Sequence, residues 1–179
     1  MDYITHCHIP SWFMMEKYTN VNGKTTFVGI AEFEIIATIL GATIIASLPI
    51  SVRACVNLCI DNNIALHAII SGNSKTDMRA RLAQIFWRVN LCSNAIFWME
   101  FVPSAANNGD APSRSGSCAG LNRASTVGER VVEPPVLFKR IFYSAQSFEM
   151  CVNGHLPSNF SEVYKEECIV PKHLKTSFV

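Results

Sequence analysis

The chain has 179 residues, 49% apolar and 16% charged, with a formal net charge of +1 and a pI near 7.6. That composition suits one folded domain with some surplus length and excludes a chain too polar to bury a core. It also excludes recognition of nucleic acid through a broad electropositive surface, so any such affinity has to arise at a local site.

The opening residues, Met1 to His8, lack the basic and apolar regions of a secretory signal. Seven cysteines are scattered, mostly in apolar runs such as Ala54-Cys55-Val56-Asn57-Leu58-Cys59-Ile60. They read as reduced core residues and point to an intracellular, cytoplasmic or nuclear, location. Residues 1–29 carry only fragments of strand pattern, with Val21-Asn22-Gly23-Lys24 suited to a hairpin turn. From Ile30 to Leu48 the apolar residues Ile30, Phe33, Ile36, Ala37, Leu40, Ile44 and Leu48 recur at spacings of three and four, which predicts a helix with a buried face ended by Pro49. Residues 35–52 carry no charge over 18 positions, so a small membrane-anchored protein is one alternative. Threonines, serines, a glycine and a proline inside that window favour a buried core helix and no membrane.

Val52 to Ile60 is β-rich and mostly apolar, the pattern of a strand covered on both faces, and it ends in Asp61-Asn62-Asn63. A short helix, Ile64 to Ile70, stops at Ser71-Gly72-Asn73-Ser74. Lys75 to Cys92 predicts an amphipathic helix, with Met78, Leu82, Ile85, Phe86, Val89 and Leu91 opposite Arg79, Arg81, Gln84 and Arg88. The run Ala95 to Phe101 predicts a strand whose Phe97, Trp98 and Phe101 either pack in the core or stack on bases. This alternation is that of layered α/β proteins. Beyond Arg114, Ser115-Gly116-Ser117-Cys118-Ala119-Gly120 and Glu133-Pro134-Pro135 interrupt any element. Residues 115–179 are therefore expected to form a loosely ordered C-terminal extension to a domain at 1–114, with Val136 to Ala145 as its best candidate element.

Three acids lie at the edges of these elements: Glu34 in the first turns of the long helix, Asp61 after the central strand, and Asp110 in the loop after the last strand. In open α/β sheets such edges converge on one side, so acids distant in sequence can share a cleft. Each also has a plain structural role open to it. Glu34 can complement the helix dipole, and Asp61 and Asp110 can cap helices.

The stretches Gly29-Ile-Ala-Glu-Phe-Glu34-Ile-Ile-Ala37, Cys59-Ile-Asp61-Asn62 with Ser71-Gly72-Asn-Ser74, and Val102-Pro-Ser104, Asn107, Asp110-Ala-Pro-Ser113-Arg114 together resemble one family. It is the ribonuclease H-like domain attached to reverse transcriptases of retroelements, of the tyrosine-recombinase retrotransposon and pararetroviral type. The resemblance covers about residues 9–114. It implies a ribonuclease H-like mixed sheet flanked by helices, and Mg²⁺- or Mn²⁺-dependent cleavage of RNA in RNA–DNA hybrids. Glu34, Asp61 and Asp110 would be the catalytic metal ligands, because two closely spaced cations need several hard oxygens. Asn62, Ser104, Asn107 and Arg114 would lie along the nucleic acid, and the rest of a reverse transcriptase polyprotein would be a further partner. The family's first strand carries another aspartate ahead of a glycine-rich hairpin. This chain offers only Asp2 upstream, so the domain is expected to be N-terminally incomplete and weak or inactive as an enzyme. A non-catalytic nucleic-acid-binding or structural remnant is the alternative of a different class.

Other constellations carry less. Cys151, His155, Cys168 and His173 have zinc-ligand chemistry without the tight spacing of a knuckle. His6-Cys7-His8 would point its neighbours to opposite faces, and His67 suits a packed or surface position better than a base. Arg79, Arg81 and Arg88 could contact phosphates, although a solvated helix face accounts for them as well.

Overall fold

A computed structural model describes residues 3–5, 9–14, 17–19, 23, 25–47, 54–93, 95–107 and 130–155. Its elements in chain order are β1 (Tyr3–Thr5), α1 (Ser11–Met14), β2 (Lys17–Thr19), β3 (Thr25–Phe27), α2 (Ile30–Ser47), β4 (Ala54–Ile60), α3 (Asn63–Ser71), α4 (Asp77–Cys92), β5 (Ala95–Phe101), a 3₁₀ turn (Ser104–Ala106), β6 (Arg130–Val132), α5 (Val136–Ile141) and α6 (Ala145–Val152). The class is mixed α/β and mostly helical. Its central feature is a parallel pair, β4 beside β5, with helices packed against it.

The expected hairpin forms: β2 and β3 pair antiparallel with Lys17 opposite Phe27, and Gly23 between them has φ +76°. A positive φ is costly for residues bearing a Cβ and free for glycine. The two strands of the parallel pair are joined through α3 and α4, as a parallel connection requires. β1 pairs in parallel with β6, joining residues 3–5 to residues 130–132.

The core lies between α2, α3, α4 and one face of the β4–β5 pair. α4 buries Met78, Leu82, Ala83, Ile85, Phe86 and Val89 along one stripe, as its periodicity predicts, and each large apolar side chain so buried contributes about 1.5–3 kcal/mol. Leu91, expected on that stripe, is 82% exposed because at about 100° per residue it falls on the opposite side of the helix from Met78, Leu82, Ile85, Phe86 and Val89. In α2 the rotation differs from the expected face. Ile35, Ile36, Ile39, Leu40, Ala42 and Ala46 are buried, whereas Ile30 and Ala37 face out. A helix this uniformly apolar has no polar side to fix its orientation, so contact with α4 and α3 sets it. α2 is long and apolar enough to cross a membrane, and half of it is buried within this fold.

One expectation is corrected. Among the described residues the central strand is covered on one face, with Cys55, Asn57 and Cys59 of β4 exposed beside Ile96, Trp98 and Glu100 of β5. The run reads as continuously apolar because two of its outward positions hold cysteine, so the same residues correct the picture of wholly buried cysteines. Cys151 does fit it: burial pushes its thiol above the usual range, against the lowering effect of Arg88.

Part of the C-terminal stretch packs with the rest of the chain. Residues 130–155 form β6, α5 and α6, and their Leu137, Phe138, Ile141, Phe142, Phe148 and Cys151 belong to the same core as α2 and α4. The aromatic residues supply the reason. Phe13 of α1 meets the rings of Phe142 and Phe148 edge-on at 6.2 and 5.9 Å, and the Trp12 indole N–H donates to the Phe142 carbonyl at 3.3 Å. Arg88 donates to the Val152 carbonyl at the end of α6 at 2.7 Å, and Arg81 pairs with Glu149 and lies over the Phe148 ring at 5.2 Å. Neither Pro134-Pro135 nor the short periodic runs reveal these long-range contacts.

Gly72 ends α3 in the left-handed region, φ +65°, and its N–H donates to the Ile69 carbonyl at 3.2 Å. A Cβ there would meet only Trp87 ring atoms at 3.9 Å, ordinary contact, so the cost of Gly72→Ala is backbone strain alone. We expect the substitution to destabilise the chain by about 1 kcal/mol in urea unfolding, with the slope unchanged. A neutral outcome would mean that the α3 terminus is not held as described.

Candidate functional site

The site is best built from the C-terminal ends of β4 and β5. Because the strands are parallel and Ile60 is opposite Phe101, both chains leave the sheet at the same edge. The Val102 N–H donates to the Ile60 carbonyl at 3.0 Å, extending the pairing by one bond. Asp61 therefore emerges directly beside the start of the loop that carries Ser104 and Asn107. Such an edge is where ligands of α/β sheets bind.

Asp61 is half-buried in a bend between β4 and α3. The cap of α3 is its neighbour: Asn62, in extended backbone with φ −115° and ψ 108°, accepts from the Ile64 and Ala65 N–H groups at 3.0 Å each. The capping role open to Asp61 is thus filled by Asn62. Asn62, placed by the resemblance along the nucleic acid, has its Oδ1 engaged inside the chain.

A parallel substitution of roles occurs in α2. Glu32, at the third helical position, accepts from the Gly29 N–H at 2.9 Å, and Arg79 Nε donates to its other oxygen at 2.7 Å. The Glu32 side chain is only 2% exposed. Glu32, more than Glu34, thus meets the unpaired amides of the helix start, the contact a capping box makes. Sequence reasoning passed over Glu32, although its spacing of three from Gly29 was the available signal. Glu34 is half-buried two residues further along, and its carbonyl accepts from Thr38 Oγ1 at 2.8 Å.

Ser104 is exposed in the 3₁₀ turn, and Asn107, half-buried, closes that turn by donating its N–H to the Ser104 carbonyl at 3.1 Å. Asp110 and Arg114 lie outside the described residues, as do Asp2, His6-Cys7-His8, Cys168 and His173. Among the described residues no three His, Cys, Asp or Glu side chains gather as a metal-holding group. Among the described residues, Asp61 thus stands beside the start of the loop that leads toward Asp110, and Glu34 stands on α2.

The arginines of α4 are engaged within the fold. Arg79 holds Glu32, Arg81 pairs with Glu149 and with Asp77 at 3.6 Å, and Arg88 caps α6 through Val152. The solvated basic face expected from the sequence is thus a docking face for α2 and α6. Among the aromatics of β5, Phe97 is core at 9% exposure, whereas Trp98 and Phe101 are exposed at 71% and 41%. His67 is exposed on α3, a surface position.

No protein-family model, curated protein or solved structure matches the chain.

Proposed function

We propose that this chain is a ribonuclease H-like domain derived from a retroelement polymerase, and that its ancestral chemistry is metal-dependent cleavage of the RNA strand of an RNA–DNA hybrid. The observation that carries the reading is Asp61: it stands at the C-terminal edge of a parallel pair, and the capping role that would otherwise explain it belongs to Asn62. α2 is about 27 Å long and β4 about 23 Å. Glu34 stands near the start of α2, which packs on α3 and α4 and touches β4; in the proposed site it would join Asp61. The loop leaving β5 beside Asp61 leads, three residues past Asn107, to Asp110.

The donor chemistry fits a hard divalent cation. Carboxylate oxygens suit Mg²⁺ or Mn²⁺, and Mg²⁺ keeps several waters while binding through one or two carboxylates. Glu34, Asp61 and Asp110 would hold it, and once bound it supplies Lewis-acid stabilisation of charge on phosphoryl oxygens. The chain's own part is to fix the acids at one sheet edge, with Ser104 and Asn62 along the backbone of the hybrid and Arg114 following in the same loop.

A second reading, a non-catalytic nucleic-acid-binding or structural remnant, is favoured by the engagement of Arg79, Arg81 and Arg88 inside the fold, which removes them as phosphate contacts. A Mn²⁺ titration followed by paramagnetic broadening of backbone amide signals separates the two. The proposed site requires early broadening at Asp61, Glu34 and Asp110, with Cys55 at the far end of β4 affected last. Uniform broadening, or none at Asp61, sinks the metal-site reading and leaves the remnant.

A further inference from the structure

We propose that Asn62 is a positioning residue for Asp61, an inference that deepens the metal-site reading above and rests on it for its functional meaning. Asp61 lies between two residues whose freedom is removed on both backbone and side chain. On one side Ile60 has its side chain buried at 3% exposure and its carbonyl held by the Val102 N–H at 3.0 Å. On the other, Asn62 has its Oδ1 bound to the Ile64 and Ala65 N–H groups and its carbonyl bound to the Leu66 N–H at 2.9 Å.

The direction in which the Asp61 carboxylate leaves the sheet is therefore set by the backbone on either side of it. The Ile60 anchor belongs to the sheet and the core. The Asn62 anchor is a single side chain, and removing it frees the first turn of α3 to fray, which lets the chain at Asp61 rotate. Hard-cation sites depend on such supporting contacts, whose loss typically lowers metal affinity by about 10–100-fold. Asn62 thus acts on the site through Asp61, by fixing the angle at which the strand turns into the helix.

The test compares the full chain with Asn62→Ala, which removes the acceptor, and Asn62→Ser, which keeps a capping oxygen. Three measurements are made: the order parameter of the Asp61 amide without metal, the dissociation constant for Mn²⁺ at Asp61, and the melting temperature. Asn62→Ala is expected to lower the Asp61 order parameter and weaken Mn²⁺ binding by about tenfold or more, and Asn62→Ser to return both toward the parent. A cap that only stabilises α3 would lower the melting temperature by a few degrees, about 2–4 °C per kcal/mol for a chain of this size, and leave the other two readouts at parent values. That result overturns the proposal. If the parent binds no Mn²⁺ at Asp61, the metal-site reading fails, while the order parameter measured without metal still decides whether Asn62 holds Asp61.

Discussion

Asp61→Asn is expected to take any Mg²⁺-dependent cleavage of RNA in an RNA–DNA hybrid to background, while the stability of the chain stays within about 0.5 kcal/mol of the parent. The activity loss follows from charge. An amide oxygen keeps the shape of the side chain but gives up the full negative charge that a divalent cation requires, and metal stabilisation of this kind is worth several kcal/mol in the transition state. At 1.36 kcal/mol per factor of ten, that is at least about 100-fold. The unchanged stability follows from the structure, because the α3 cap is made by Asn62 and the sheet end is closed by Val102 on Ile60. The pairing of results matters, since a structural aspartate would lose stability and activity together. Cleavage by Asp61→Asn equal to that of the parent would show that the site lies elsewhere.

Arg79→Met is expected to produce the largest loss of stability among the charged positions, about 3–5 kcal/mol, read as a lowered urea midpoint and a melting temperature lower by roughly 6–20 °C. Arg79 Nε lies 2.7 Å from a Glu32 carboxylate whose side chain is 2% exposed, so removing the guanidinium leaves a negative charge buried against α4 with its ion-pair partner gone. The contrast within the same helix is instructive: Arg81 and Asp77 are 3.6 Å apart, Asp77 is 67% exposed, and such a pair is worth about 0.3–0.5 kcal/mol. The double variant Glu32→Leu with Arg79→Met should recover much of the loss, because replacing a buried pair by apolar side chains of similar volume removes the desolvation cost along with the attraction. A single-variant loss below about 1 kcal/mol would mean that water reaches Glu32.

Much of the order of elements could be read from the chain. α3, α4 and β5 appear within two residues of the expected bounds, since each carries its own period and its own stop: Gly72 after α3, the aromatic alternation of β5. The hairpin at Gly23 and the length of α2 were equally local. The rotation of α2 was not, because a helix apolar on every side presents no preferred face until α3 and α4 are placed against it. The C-terminal elements were hidden for a similar reason. Their stability comes from Phe142 and Phe148 meeting Phe13, and from Arg81 and Arg88 reaching across from α4, contacts more than 60 residues apart in sequence.

For the candidate site, residue types and spacing were enough to single out Glu34, Asp61 and Asp110, because acids at element edges are visible in a linear chain. Which of these residues makes the helix-capping contact was not visible. Glu32 and Glu34 sit two residues apart on one helix, and Asp61 and Asn62 are adjacent, so local pattern gives each pair nearly equal claim to the capping role. Burial against Arg79 assigned the structural part to Glu32, and the extended backbone at the end of β4 assigned it to Asn62. Composition and periodicity act through neighbours along the chain and so determine elements. The division of labour between adjacent polar side chains depends on what packs against them in space.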